Sequence, residues 1–238
     1  MGLAEDIRGV ADRASSALDD AHDYYTHTDR AWGLIRRVVR EGRTFTFVNP
    51  HTKTRADQRE ILLRSRRYIA VDLASATFQH FVSIFEDFVF DTLRLWLAAY
   101  PASLSKKQLE FATVLSAPNI ATVVLAVVDR ELNEIKYGRV ADWFAYLERL
   151  AKPGVPTAEE IECLTEVKAS RDILVHNKGV VNATYLSKSG KSARFAVGEK
   201  LEIDVPYHLA SWESIKKLVS NLSTAMIEKV PPSSGGGA

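Results

Sequence analysis

The chain has 238 residues, of which 46% are hydrophobic and 26% charged, the balance of an ordinary soluble globular protein with enough length for a real core. A formal net charge of +1 excludes a general pull toward nucleic acid, so any RNA surface has to be a local patch. The single cysteine, Cys163, excludes an intramolecular disulfide and fits a reducing cytoplasm.

In chain order, the start Met1-Gly2-Leu3-Ala4-Glu5-Asp6 is acidic where a secretory signal needs positive charge, and Asp6 stands where a myristoylation signal wants Ser or Thr. Apolar residues from Ile7 through Tyr25 to Val39 recur at three- and four-residue steps, which predicts an amphipathic helix from Leu3 to about Glu41. Alternation at Thr44-Phe45-Thr46-Phe47-Val48, then Asn49-Pro50, predicts a loop or short strand before position 56. No Pro or Gly interrupts residues 56–99, and Phe78, Phe81, Phe85, Phe88 and Trp96 keep an apolar face, so one long central helix is expected.

Pro101 stops that helix, and Ser105 with Gln108 forms a capping box for a short helix to Leu115. Pro118 in a first turn opens a helix to about Tyr137, and another runs from Ala141 to Ala151. Its longest apolar run, Ile120–Val128, is far short of the roughly 20 residues that span a bilayer. After Pro153-Gly154-Val155-Pro156, the capping box of Thr157 and Glu160 starts a helix that Gly179 ends. Alternation from Ala193 to Val205 around Gly198-Glu199 predicts a β-hairpin. Trp212, Ile215, Val219, Leu222 and Met226 form a narrow helical seam suited to another helix. Residues 231–238 read as a flexible tail. The fold class expected is therefore mainly all-α with one small hairpin, divided into an N-terminal helix and basic loop (1–58), a helical domain (59–230) and the tail.

The most informative segment is Ser170-Arg171-Asp172-Ile173-Leu174-Val175-His176-Asn177-Lys178-Gly179. It carries a phosphate-binding cation and a proton-transfer group at a helix end. On a helix Arg171 and His176 lie roughly 140° apart, whereas Asp172 and His176 are one turn apart, so Asp172 is placed to orient His176. Protonated His and Lys are favoured near a helix C-terminus, where Asn177 and Lys178 also point. Two readings fit these residues: a phosphate-gripping catalytic cluster, or surface charges with His176 as a capping side chain.

Residues 28–67 hold eleven cations against four acids, a net +7 that exceeds the charge of the whole chain. Arg36, Arg37, Arg40, Arg43, Arg64, Arg66 and Arg67, with Phe45, Phe47 and Tyr68 interleaved, are candidates for holding an RNA backbone and stacking bases; a solvated face paired to acids explains them as well. Lys188, Lys191 and Arg194 offer a smaller patch. His22, Asp23, His27 and Asp29 have a metal-like spacing but no second His or Cys pair, so no metal and no cofactor are expected. His51 and His208 read as surface residues and His80 as a helix-packing one. Glu86 and Asp87 stand on the central helix, where a solvated face explains them as well as a place in a cleft does. No phosphate-loop, dinucleotide, serine-hydrolase or zinc-ribbon motif occurs.

Arg171-Asp172-x-x-x-His176 at a helix end, followed by Asn177-Lys178-Gly179-Val180-Val181-Asn182 and Tyr185-Leu186, resembles the signature of HEPN domains, and the stretch is similar to stand-alone bacterial HEPN proteins of toxin-antitoxin and phage-defence loci. The resemblance extends loosely over residues 60–229, through the aromatic helix Phe78 to Trp96 and the last helix; residues 1–58 carry none of it. It implies an antiparallel helical bundle, a homodimer and a metal-independent endoribonuclease acting in the cytoplasm. Arg171 would bind phosphate, His176 would move protons, Asp172 would orient them, and Asn177, Lys178 and Glu86 would be accessory. It also implies an antitoxin or defence-system partner protein. A non-catalytic HEPN-type module that binds RNA or protein is the alternative.

Overall fold

The computed structural model describes residues 2–43, 46–104, 108 and 111–231. Phe45, Ser105 of the expected capping box and the Gly-rich tail lie outside the described residues. Helix α1 (Leu3–Arg40) buries Ile7, Val10, Ala14, Leu18, Ala21 and Tyr25, one stripe of its surface. Past Tyr25 only Val39 of this helix is fully buried, while Trp32 packs half-buried against the edge of the core. The next helical rod comprises α2 (Gln58–Arg67), a π-helical stretch (Tyr68–Leu73) and α3 (Ala74–Ala99), which together fill the interval expected to be one long helix. Asp57 caps its start by accepting from the Glu60 amide at 2.7 Å.

Phe78, Phe81, Phe85 and Phe88 of α3 are all but completely buried, and each contributes about 1.5–3 kcal/mol of apolar transfer free energy. They lie in the centre of a packing of α1, α3 and α9 (Val205–Glu228). The seam of α9 is used there. Ile215, Val219, Leu222 and Met226 are buried within the chain itself, and Lys216 ties α9 to Asp19 of α1 at 2.6 Å. The heptad-like spacing thus reports an intramolecular helix packing, and those residues are not free to form a dimer interface.

Helices α4 (Phe111–Ser116), α5 (Ile120–Lys136) and α6 (Val140–Ala151) follow, with Asn119 capping α5 through the Thr122 amide at 2.9 Å. Thr157 and Glu160 form the expected reciprocal capping box of α7 (Ala158–His176). Its end is set by Lys178 and Gly179, both with positive φ, while the amides of Asn177 and Gly179 both donate to the Ile173 carbonyl at 3.0 Å. The positive φ of Gly179 is what calls for glycine there, since the Lys200 side chain near it is a flexible end that can give way.

Two features depart from the expectations. A short helix, α8 (Ala183–Ser189), follows the motif, capped by Asn182 accepting from the Tyr185 amide. The hairpin over residues 193–205 is not formed, and among the described residues there are only isolated bridges, Val48 with Arg55 and Val180 with Lys200. The Leu201 amide instead bonds the Gly179 carbonyl at 2.8 Å, and Val181 exchanges bonds with Gly198 and Glu199. Alternation at Leu201 and Ile203 records which side chains are buried; it does not name the backbone partner. No described helix is long and apolar enough to cross a membrane.

Candidate functional site

Arg171 and Asp172 occupy the penultimate turn of α7 and His176 is its last residue. Asp172 is half-buried and is bonded to cations, not to His176. Its Oδ1 accepts from Arg171 at 3.2 Å and lies 3.6 Å from Lys168 Nζ, while Oδ2 accepts from Lys188 Nζ of α8 at 3.1 Å. Burial acts to raise the Asp172 carboxyl, but Lys168, Lys188 and Arg171 outweigh it and hold it below the ordinary carboxylate range. The sequence expectation that Asp172 orients His176 is therefore corrected: three cations compete for the carboxylate, and the one-turn spacing does not overcome them.

Glu86 of α3 comes to the same place. Its carboxylate is 3.0 Å from Lys168 Nζ and 3.8 Å from Arg171 Nη2, and it is buried. Asp87 beside it is exposed. Three cations thus face two carboxylates. The Arg171 Nε is buried without a hydrogen-bond partner and so faces no ligand, whereas its Nη2 is held only loosely, 3.8 Å from Glu86, and is the end of the guanidinium with donors to spare. His176 is exposed and makes no side-chain hydrogen bond among the described residues. Lys178 is also exposed; its carbonyl accepts from Lys200, and the Asn177 amide donates to the Val180 carbonyl. Neither accessory side chain joins the Arg171 cluster.

A second, buried network lies one turn back on α7. Glu166 Oε1 accepts from Ser170 and Tyr185 at 2.7 Å each and from Arg194 Nε at 3.2 Å, and Oε2 accepts from Tyr207 at 2.6 Å. Burial first, then the Glu166 charge, raises the Tyr207 phenol well above its usual value. The Arg194 guanidinium lies 3.2 Å from the Tyr207 ring centroid. Arg194 is therefore a structural cation. Lys188 is spent on Asp172 and Lys191 on Glu162 at 2.9 Å, so the small basic patch expected around them does not exist as free charge.

A cavity of about 660 Å³ between α7 and α9 is lined by residues such as Cys163, Leu164, Glu166, Arg194 and Ile215, and none of Arg171, Asp172 or His176 lines it. The motif is a surface feature. Other histidines also sit differently from expectation. His208 is buried, with Nε2 2.7 Å from Thr77 Oγ1 and its ring against Tyr25 and Phe81, because the fourth residue of α9 faces α1 and α3. His80 is exposed on the outer face of α3, and His22 stacks on Trp212 at 4.1 Å. Among the described residues no group of three or more His, Cys, Asp or Glu could hold a metal ion.

Of the arginines singled out between residues 28 and 67, Arg36 pairs with Asp29 at 3.1 Å, Arg67 with Asp72 at 3.4 Å, and Arg64 with Glu60. Arg37, Arg40, Arg43 and Arg66 are exposed and have no carboxylate partner among the described residues. Sequence reading missed Lys168 and Lys188 as members of the motif cluster. Lys168 was readable from its four-residue step to Asp172, whereas Lys188 required knowing that α8 exists. Compared with family models, curated proteins and solved structures, the chain finds no match.

Proposed function

We propose that the chain is a HEPN-like helical protein that cleaves RNA without a metal. The observation that carries this reading is an exposed His176, uncommitted to any side-chain hydrogen bond among the described residues, five residues after an Arg171 whose Nη2 is held only loosely by Glu86 at 3.8 Å. Cleavage needs a base to help the 2′-hydroxyl attack the adjacent phosphorus, an acid for the departing 5′-oxygen, and donors for the equatorial oxygens. Arg171 supplies donors and His176 transfers the proton. Asp172 and Glu86 position the guanidinium. The products are a 2′,3′-cyclic phosphate and a 5′-hydroxyl.

One His cannot act as base and acid at once, so two copies related by a two-fold axis would bring two His176 and two Arg171 side chains around one phosphate. The α9 seam is occupied, and the interface therefore has to lie at the motif end of α7. A monomer by light scattering at micromolar concentration would remove the composite site. A toxin or defence effector restrained by an antitoxin or other partner protein in the cytoplasm is the setting that suits such an activity.

A second reading, a non-catalytic HEPN-like module that binds RNA or protein, is favoured by the Lys168–Glu86–Arg171–Asp172–Lys188 network, which clamps α3, α7 and α8 together whether or not any chemistry follows. Incubating the purified protein with mixed RNAs in the presence of a chelator separates the two. Cyclic phosphate ends support the nuclease, and RNA bound but left intact supports the module.

A further inference from the structure

Beyond Tyr25, α1 meets the loop 46–56 and the start of the π-helical stretch at a cluster of rings. The Trp32 ring is 5.5 Å from Phe47 and 6.0 Å from Tyr68, centroid to centroid. Tyr68 remains 40% exposed, so part of its side chain is open to solvent. The bridge between Val48 and Arg55 and the bond from the Ala56 amide to the Phe47 carbonyl at 2.8 Å hold the loop in place. Eleven cations lie in residues 28–67 and three of them have carboxylate partners, so eight are unpaired among the described residues. Ten of the eleven are arginine, whose planar guanidinium suits phosphate oxygens and base faces better than an ammonium does.

We propose that this surface is a platform for single-stranded nucleic acid. Tyr68 and the edge of Trp32 stack unpaired bases, and exposed guanidiniums such as Arg37, Arg40 and Arg66, which have no carboxylate partner among the described residues, take the phosphates. A duplex hides the base faces that the rings need, so single strands are preferred. Naming RNA as the strand, and a cut made at its far end, rests on the nuclease reading above.

The rod from α2 to α3 sets the scale. Tyr68 and Glu86 are eighteen residues apart along it, about 27 Å at about 1.5 Å per residue. Glu86 contacts Arg171, so the platform and the motif are separate stations on one molecule. At a stacked spacing of about 3.4 Å per nucleotide, a strand that reaches both has on the order of eight nucleotides or more. The substrate class is an extended single strand, and very short oligonucleotides bind without occupying both stations.

The test uses the full chain and fluorescence anisotropy with labelled oligo(dU) of about 20 nucleotides, which stacks and carries phosphates but lacks the 2′-hydroxyl and cannot be cut by this chemistry. Arg37→Gln/Arg40→Gln/Arg66→Gln, all exposed and unpaired, should weaken binding about tenfold or more and flatten the slope of log K against log salt by about 2, at roughly 0.7 per phosphate contact. Trp32→Ala should weaken it about tenfold, and the arginine variant keeps the test decisive if loss of Trp32 disturbs the fold. Equal binding by the arginine variant, tighter binding of a duplex of the same length, or binding to phosphatidylserine vesicles without binding to oligo(dU) each overturns the platform. Mixed RNAs that bind through these arginines yet stay intact overturn the nuclease reading and leave the platform standing.

Discussion

Lys188 of α8 donates to Asp172 of α7 across 3.1 Å, so the acid of the motif is bonded to a cation of the next helix and not to the histidine one helical turn beyond it. The consequence is a division of labour within six residues. Arg171 and Asp172 belong to a partly buried ion network, whereas His176 stands exposed at the helix end.

That division predicts opposite costs in stability. Asp172→Ala removes the shared acceptor of Lys168, Arg171 and Lys188 and should cost about 1–3 kcal/mol in urea unfolding, the range for stranded polar partners. His176→Ala should change stability by less than about 0.5 kcal/mol, as for an exposed residue with no bonded partner. The Asp172 carboxyl is held below its ordinary value. Its contribution is therefore complete above the unfolded carboxyl range and is lost as pH falls through the folded one.

In RNA cleavage the order reverses for His176. His176→Ala should lower the rate by two or more orders of magnitude, roughly the worth of positioned acid-base catalysis, with an intact far-UV spectrum. Arg171→Ala should fall comparably, and Arg171→Lys should also be poor because an ammonium lacks the two-pronged planar donor geometry. Cleavage at wild-type rate by His176→Ala would falsify the nuclease reading.

Glu166 has the largest structural role of the charged groups on α7. Glu166→Ala strands the Arg194 guanidinium and three hydroxyls in a buried setting and should cost about 3–5 kcal/mol, enough to lower the melting temperature by many degrees. Tyr207→Phe deletes one bond to a charged acceptor and should cost about 1.5–3 kcal/mol. A Glu166→Ala protein as stable as wild type would show that the network is dispensable.

His208 makes the fold acid-sensitive. Burial, then the neighbouring His22, pushes its imidazole down to about 4 from the usual 6.5. Between those values the unfolded chain takes a proton that the folded chain does not, so stability is complete above about pH 6.5 and falls as pH drops toward 4. The slope is at most about 1.4 kcal/mol per pH unit for one proton. His208→Leu should show a correspondingly flatter profile between pH 7 and 5 in urea titrations, and parallel profiles for the two proteins would exclude this linkage.

Much of the helical architecture is local chemistry, and the chain displays it openly. The capping box of Thr157 and Glu160, the glycine at the left-handed position 179 and the apolar steps of α1 each depend on residues within one or two turns of one another. What tertiary structure alone decided is the choice among partners that lie far apart in sequence. Asp172 had a histidine one turn away but met Lys188 and Lys168; Leu201 and Ile203 alternated as a strand does, yet the chain paired with residues 179–181. The seam of α9 fitted a second subunit or its own α1 and α3 equally by spacing, and packing gave it to the latter. Periodicity records which face of an element is apolar. Which surface covers that face, and which of several cations reaches a carboxylate first, depends on the docked positions of other helices, and those exist only in the folded chain.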